Sequence, residues 1–531
     1  MPGIRVTKNA TDGFFSCSGK LFHVFSQSQV SCIADSVYSD DDNGNECKEA
    51  DIGSLMAVAA VGSQYTNTII EDEVQETFYN VARFYLDAVI TQRPLDTIKI
   101  CTLLCLYNIF GKATVSSAYV DVGLGICDRY GLHCQKRQLD GITDSMWLDY
   151  RKTWRTLCFF STWLSTSIGY KAGNYIVQQI SASQLEVDRE SNFSKVVQTE
   201  MIKIGLMKAK ILHLHLGSKY LSIEPLNSTI QDLQDWYLEL PPQMQLQSLW
   251  ERNVPLEAKR SVYHVHLLYL GANMLLFRQI VAENVRQHIN ISPLWYPPSD
   301  LLSRQGPNAL LAANSSARIV KLLLDENGIL QQCWPIIFQS YTSCIIIMHA
   351  ILTKLVSSLI PSAYLEEMEN ARLCLEALAY CGTTDQGAGR LHDKAEAIYN
   401  SVRDYIEDYS EALHDSGREP YSRRNTAEQG LPGETPQDIN MQDSSEVSRT
   451  IPTSLQIAVE DLSFDLLVML CRPFRDPSYR EESRASTQRS DPTRSEHLGM
   501  VEKLTWDFED GIPFHWNPEV SESRMPREGS V

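Results

Sequence analysis

Apolar side chains recur every three or four residues along most of this chain, and almost no stretch alternates apolar and polar at a period of two. The first rhythm lines up one face of a helix and the second one face of a strand, so helices are expected and strands are scarce. Leu55, Val58, Ala59 and Gly62 open the pattern. A second helix is expected over 73–91, with Val74, Phe78, Val81, Ala82, Tyr85 and Val89 as its stripe. Pro94 suits the first turn of a third, where its missing N–H is no loss, and Asp96 is placed to cap it ahead of Ile98, Leu103, Leu106 and Phe110. Further helices are expected over 119–131, 149–168, 193–219, 229–240, 257–288, 308–326, 333–358, 365–381 and 389–409. Gly131 and the pair Pro241–Pro242 read as stops, because glycine accepts the left-handed turn that closes a helix and proline cannot continue one. No repeat of about 30–45 residues is visible, so self-similarity does not support a stacked solenoid.

The expected fold is therefore all-α, with one large multi-helix domain at 53–410. Residues 1–52 read as an irregular acidic segment that includes the run SDDDNGNE. Over 411–454 the composition turns to Ser, Thr, Gln, Glu, Arg, Gly and Pro. Such a stretch buries too little apolar surface to offset the entropy of ordering, and it reads as a disordered linker. A short helix is expected over 455–474, followed by a disordered acidic-aromatic tail over 475–531. In that tail Trp506, Phe508, Phe514 and Trp516 stand among Asp507, Glu509 and Asp510. Negative charge keeps such a segment extended and soluble while its rings stay available to a partner's groove. The alternative is that the rings dock back on the helical domain. These four aromatics are the candidate partner-binding residues.

Charge narrows the function classes. The chain has 47 Lys and Arg against 66 Asp and Glu, a net −19. It is not coated in the positive charge that holds nucleic acid by bulk electrostatics, although a small basic patch is compatible with this balance. The best membrane-spanning candidate, 343–360, holds His349, Lys354 and several serines and reads as a buried helix; no membrane partner is expected. The first residues lack the apolar stretch of a secretory signal, which points to a reducing compartment. The 13 cysteines are expected as buried thiols and not as a disulfide framework.

Motifs for chemistry are sparse. There is no Cys-x-x-Cys, the tight pair that structural zinc usually needs, and no metal or other cofactor is expected in this chain. His213 with His215 and His264 with His266 are two apart, which on a helix points them to opposite sides. Gly123-Leu124-Gly125 starts like a dinucleotide fingerprint, but Asp128 fills the third glycine position and no strand precedes it. Close helix packing is the expected role of that glycine run. Neither a phosphate loop nor a Gly-x-Ser-x-Gly elbow occurs, so an enzyme is not expected.

Several blocks nevertheless carry a resemblance. GSLMAVAAVGSQYT at 53–66 looks like the opening of the fungal-specific transcription factor domain, the regulatory middle region of fungal zinc-cluster transcription factors. The stretch 98–135 is similar to that family's best-known block, with Gly111, Ala118, Gly123, Asp128, Gly131, Leu132 and His133 at the matching places. The stretch 149–170 resembles the next block through Arg151, Trp154, Arg155, Trp163, Leu164, Ser165 and Gly169. It departs from the pattern where the family has an Asp, here Thr162 or Ser161, and at Tyr170-Lys171, where it has Arg-Pro. LQDWYLELPP at 233–242, HVHLLYLGANMLLFRQIV at 264–281 and GIPFHWN at 511–517 look like later elements of the same family.

The resemblance implies an all-α regulatory domain, a nuclear location and transcriptional co-regulators as partners. The implied role is regulation of RNA polymerase II target genes, with a metabolic or secondary-metabolite gene cluster fitting the kinship. The family reads DNA through six cysteines on two zinc ions, and residues 1–52 hold only Cys17, Cys32 and Cys47. Direct sequence-specific DNA binding by this chain is therefore not expected. A DNA-binding partner or a zinc module encoded elsewhere would supply it, unless the reader has been lost; a homodimer is a further candidate partner. The competing reading is a helical enzyme or small-molecule-binding protein unrelated to transcription.

Overall fold

The computed structural model describes residues 1–39, 48–66, 70–109, 111–134, 141–167, 192–216, 223–251, 254–289, 299–330, 332–356, 364–416, 453–471 and 473. All regular structure among them is helical, and no strand occurs there. The all-α expectation holds at this level. The linker expected over 411–454 and the tail over 475–531, with Trp506, Phe508, Phe514 and Trp516, lie almost entirely outside the described residues.

The N-terminal half is built on α4 (Lys48–Ser63) and α7 (Pro94–Asn108). Every residue of α4 from Ala50 to Ser63 is buried, because α1 (Ile4–Ser16), α3 (Gln27–Tyr38), α5 (Asp72–Phe84), α6 (Leu86–Gln92) and α7 all pack on it. Residues 1–38 are thus not irregular. They form α1, the single turn α2 (Ser18–Leu21) and α3, and they belong to the core. The sequence pattern hides this, because α1 buries Thr7, Ala10, Thr11, Gly13 and Phe14, a face made mostly of small and polar residues. Its grip is a backbone-to-backbone approach: a Cβ on Gly62 would sit 1.8 Å from the Ala10 carbonyl oxygen. α3 starts with a reciprocal cap, in which Gln29 N–H donates to Ser26 Oγ at 3.2 Å and Ser26 N–H to Gln29 Oε1 at 2.8 Å.

The helix expected over 73–91 is two helices. It breaks at Tyr85, which leaves helical geometry at φ −86°, ψ 0° while its N–H still reaches the Val81 carbonyl. Asp96 does not cap α7; its carboxylate accepts from Tyr150 Oη at 2.7 Å instead. α8 (Ala113–Arg129) ends at Gly131 as expected. With Gly131 at φ 65°, Leu132 N–H bonds the Cys127 carbonyl and Gly131 N–H that of Asp128, a closed helix terminus. Gly123 is a close-packing residue, since a Cβ there would meet Leu157 Cδ2 at 2.6 Å; nothing lies within 4 Å at Gly125.

α9 (Asp144–Ser167) and α10 (Phe193–Leu216) lead into the second half. That half comprises α11 (Ile223–Leu238), α12 (Ser248–Glu251), α13 (Leu256–Ile289), α14 (Ser299–Asp325), α15 (Trp334–Val356), α16 (Leu365–Gly382), α17 (Gln386–Ser416) and α18 (Thr453–Cys471). α15 lies at its centre, packed by α13, α14, α16, α17 and α18. Leu256–Ala282 and Trp334–Leu355 are each long and apolar enough to cross a membrane, and both are mostly buried inside this core. Aromatic rings join the halves: Trp334 lies 4.5 Å from Trp163 and 6.1 Å from Phe160, centroid to centroid, with Phe22 at 6.3 Å. One continuous apolar core results.

Candidate functional site

Two charges are drawn into the place where the second half is most apolar. α10 carries Lys208 on its buried side, and α13 carries Arg278 inside the run LLFRQIV. They converge with Thr166 of α9, Gly271, Met274 and Leu275 of α13, Phe338, Gln339 and Thr342 of α15, and Leu470 of α18. Five helices leave a cavity of about 20 Å³ between these residues, room for one or two waters or a small ion. A side chain at Gly271 would fill it: a Cβ there would lie 2.7 Å from Gln339 Oε1 and 3.5 Å from Lys208 Nζ.

Each polar partner is fixed by its own bonds. Arg278 donates from Nη2 to the Thr166 carbonyl, in the last turn of α9, where helix carbonyls carry partial negative charge. Ser316 donates to the Ala312 carbonyl at 2.8 Å, so it accepts from Gln339 Nε2 at 2.9 Å. That orients the Gln339 amide with Oε1 toward the cavity. Thr342 donates to the Phe338 carbonyl at 2.6 Å. Among the described residues Lys208 has no hydrogen-bond or ion-pair partner, and none of those that line the cavity is a carboxylate. Burial lowers the Lys208 ammonium to about 7, with the like charge of Arg278 adding to the effect. Burial likewise lowers Arg278, to about 10, while the neighbouring Cys471 acts in the other direction.

Three other polar clusters are structural. In the first, His264 Nδ1 bonds the Arg260 carbonyl at 2.6 Å, which makes it the protonated nitrogen. Nε2 then accepts from the Cys333 thiol at 3.1 Å. Burial pushes the Cys333 thiol up to about 12 and the His264 imidazole down to about 4, so neither ionises near neutrality. A cysteine–histidine nucleophile needs the thiolate, and this pair disfavours it. In the second, His349 Nδ1 and Ser463 Oγ are 2.9 Å apart across α15 and α18, and burial lowers that imidazole to about 4 as well. In the third, Asp149 of α9 meets Lys99 Nζ at 2.5 Å, His23 Nε2 at 2.8 Å and Gln29 Nε2 at 3.1 Å, tying the N-terminal helices to the core. The Lys99 ammonium also sits 4.5 Å from the Phe25 ring centre.

Among the described residues no three His, Cys, Asp or Glu side chains gather as a metal site. His264 and His266 do point apart, since His266 bonds the Met244 carbonyl at 2.8 Å. The described cysteines are free thiols and most are buried. Lys208, Arg278 and Gln339 escape a motif reading, because they are far apart in sequence and follow no spacing rule. The one signal for them is a charge inside an apolar stripe: Lys208 in IGLMKAKIL and Arg278 in LLFRQIV. Compared with models of protein families and with curated proteins, the chain matches none of them.

Proposed function

We propose that this chain is a transcription regulator of the fungal zinc-cluster type, acting in the nucleus on RNA polymerase II target genes through protein contacts. The observation that carries this reading is the order of the resembling blocks. They follow one another along α4, α7 and α8, α9, α11 and α13, each a packing helix of one core. Their signature residues do packing work: Leu132 is fully buried, Trp163 sits in the aromatic cluster, and Trp236 Nε1 donates to Glu200 at 2.8 Å. The neutral, buried state of Cys333, His264 and His349 supports a scaffold over a helical enzyme. Contact with DNA comes through a partner or a zinc module, and co-regulators engage Trp506, Phe508, Phe514 and Trp516.

A reporter assay tests this. Residues 415–531 fused to a foreign DNA-binding module activate transcription, and replacing the four aromatics by Ala abolishes it. The purified chain alone holds duplex DNA no better than non-specifically. Silence of both that fusion and a full-length fusion would overturn the proposal, as would turnover of a metabolite by the chain.

A further inference from the structure

We propose that Lys208 is a carbon dioxide acceptor, its amine combining with the gas in the cavity between α10, α13 and α15 to form a lysine carbamate. Only the neutral amine has the lone pair for this reaction, and a lysine in water is almost all ammonium at neutral pH. Lys208 is not in water. It is 7% exposed, and among the described residues it has no hydrogen-bond or ion-pair partner. The buried Lys99, by contrast, is held as an ammonium by Asp149. Burial without such a partner favours the uncharged form. With Lys208 lowered from 10.5 to about 7, a large share of it is free amine at neutral pH. That share is on the order of a thousandfold above that of an exposed lysine.

The amine faces a small open space. A Cβ on Gly271 would lie 3.5 Å from Lys208 Nζ, so the side chain missing there keeps open a cavity of about 20 Å³ beside the amine. Carbon dioxide, three atoms in a row, is comparable to the one or two waters that fit this volume, and acyl donors and sugar aldehydes are too large. It carries no charge and enters an apolar core without the desolvation that bicarbonate would suffer. In the reaction Nζ attacks the carbon and a C–N bond forms. One C–O π pair moves onto its oxygen, and an N–H proton is released to solvent. No oxidant, reductant or further reactant is needed. The walls suit the product. Gln339 Oε1, oriented by the bond from Nε2 to Ser316, faces the same space and accepts from the carbamate N–H. Arg278 stays a cation at neutral pH, and its field reaches Nζ, where it works against the ammonium. The same field favours a carbamate, alongside the bonds that Arg278 already makes. The Cys471 thiol near Arg278, pushed up to about 12 by burial, stays neutral and does not oppose it. A small aldehyde would give an imine, which has no negative charge for that field to stabilise.

The site stands independently of any role in transcription, and its test is chemical. The full chain is equilibrated with carbon-13-labelled carbon dioxide and bicarbonate at mildly alkaline pH. Triethyloxonium then traps carbamates as their ethyl esters, and peptide mapping by mass spectrometry locates them. A labelled carbamate on Lys208 is expected that saturates with carbon dioxide and is lost when the chain is unfolded in guanidinium. Exposed Lys8 carries at least tenfold less. Gly271→Ala, which fills the space, loses at least tenfold of the label on Lys208. The carbon-13 spectrum of the native chain gives a second reading that does not depend on that variant: a carbamate resonance in the parent that is missing from Lys208→Met. The proposal fails if Lys208 in the native chain takes no label, if it takes no more than Lys8, if folded Gly271→Ala is labelled like the parent, or if the resonance persists in Lys208→Met.

Discussion

Replacing Lys208 by Met keeps the length of the side chain and removes the buried charge, so it isolates what that charge does to stability. Unfolded, the ammonium titrates at the ordinary 10.5; folded, burial first and Arg278 second hold it near 7. Between those values the unfolded chain binds one proton more than the folded chain. Stability must therefore rise with pH across that window, at about 1.4 kcal/mol per pH unit, and the whole penalty is present below about pH 7. The gap sets a ceiling of roughly 5 kcal/mol on what the variant gains at neutral pH. The buried thiols act in the opposite sense at higher pH. Cys101, Cys333, Cys374 and Cys381 are raised from 9.0 to about 12, so above pH 9 the unfolded chain loses protons that the folded chain keeps. The clean interval is thus from about pH 7 to 8.5, in which Lys208 contributes about 2 kcal/mol of pH-dependent stability to the parent and none to the variant. Urea unfolding of both proteins at those two pH values, in buffer freed of carbon dioxide, measures the difference. The variant should start more stable and the parent should close part of the gap as pH rises. A difference that stays constant across the interval would refute the desolvation argument, because Lys208 would then not titrate there.

Other outcomes follow from the packing. Gly62→Ala drives a methyl into the Ala10 carbonyl at the crossing of α1 and α4, and urea unfolding should show a loss of about 2 kcal/mol or more; a loss under about 0.5 kcal/mol would mean the helices separate easily. Asp149→Asn leaves Lys99 buried without its counter-charge and should lose about 3 kcal/mol by the same assay. Burial alone would raise the Asp149 carboxyl, but the His23 hydrogen bond and the Lys99 charge outweigh it and hold the group well below the usual carboxylate range. The stability it confers is therefore present above its ordinary 3.8 and is lost only as the medium becomes more acidic than that. Alkylation of the native chain at neutral pH, read by mass spectrometry, should mark exposed Cys32 first and leave Cys105, Cys158 and Cys333 unlabelled until urea is added. Early labelling of Cys333 would show that its contact with His264 opens readily.

What the sequence determined by itself was local. The period of the apolar positions made helices the expectation and strands scarce, and the turn chemistry of Gly131 and the Pro241–Pro242 pair marked where two helices stop. The apolar stripe over 343–360 was legible as a core element, and its described part, 343–356, is the C-terminal part of α15, most of it buried. Helices whose buried face is polar or small stayed hidden. α1 packs by a close backbone approach at Gly13 and Gly62, which leaves no hydrophobic stripe to see. The break at Tyr85 left no mark in the apolar stripe, and the bond from Tyr150 that takes Asp96 away from the start of α7 depends on a neighbour remote along the chain. The cavity is the extreme case. Lys208 and Arg278 are seventy residues apart and ordinary in isolation, and only the packing of five helices removes them from water and brings them to one cavity. Periodicity and turn propensity act between near neighbours and are written in the sequence. Desolvation and charge pairing act across space, and only the tertiary structure decides them.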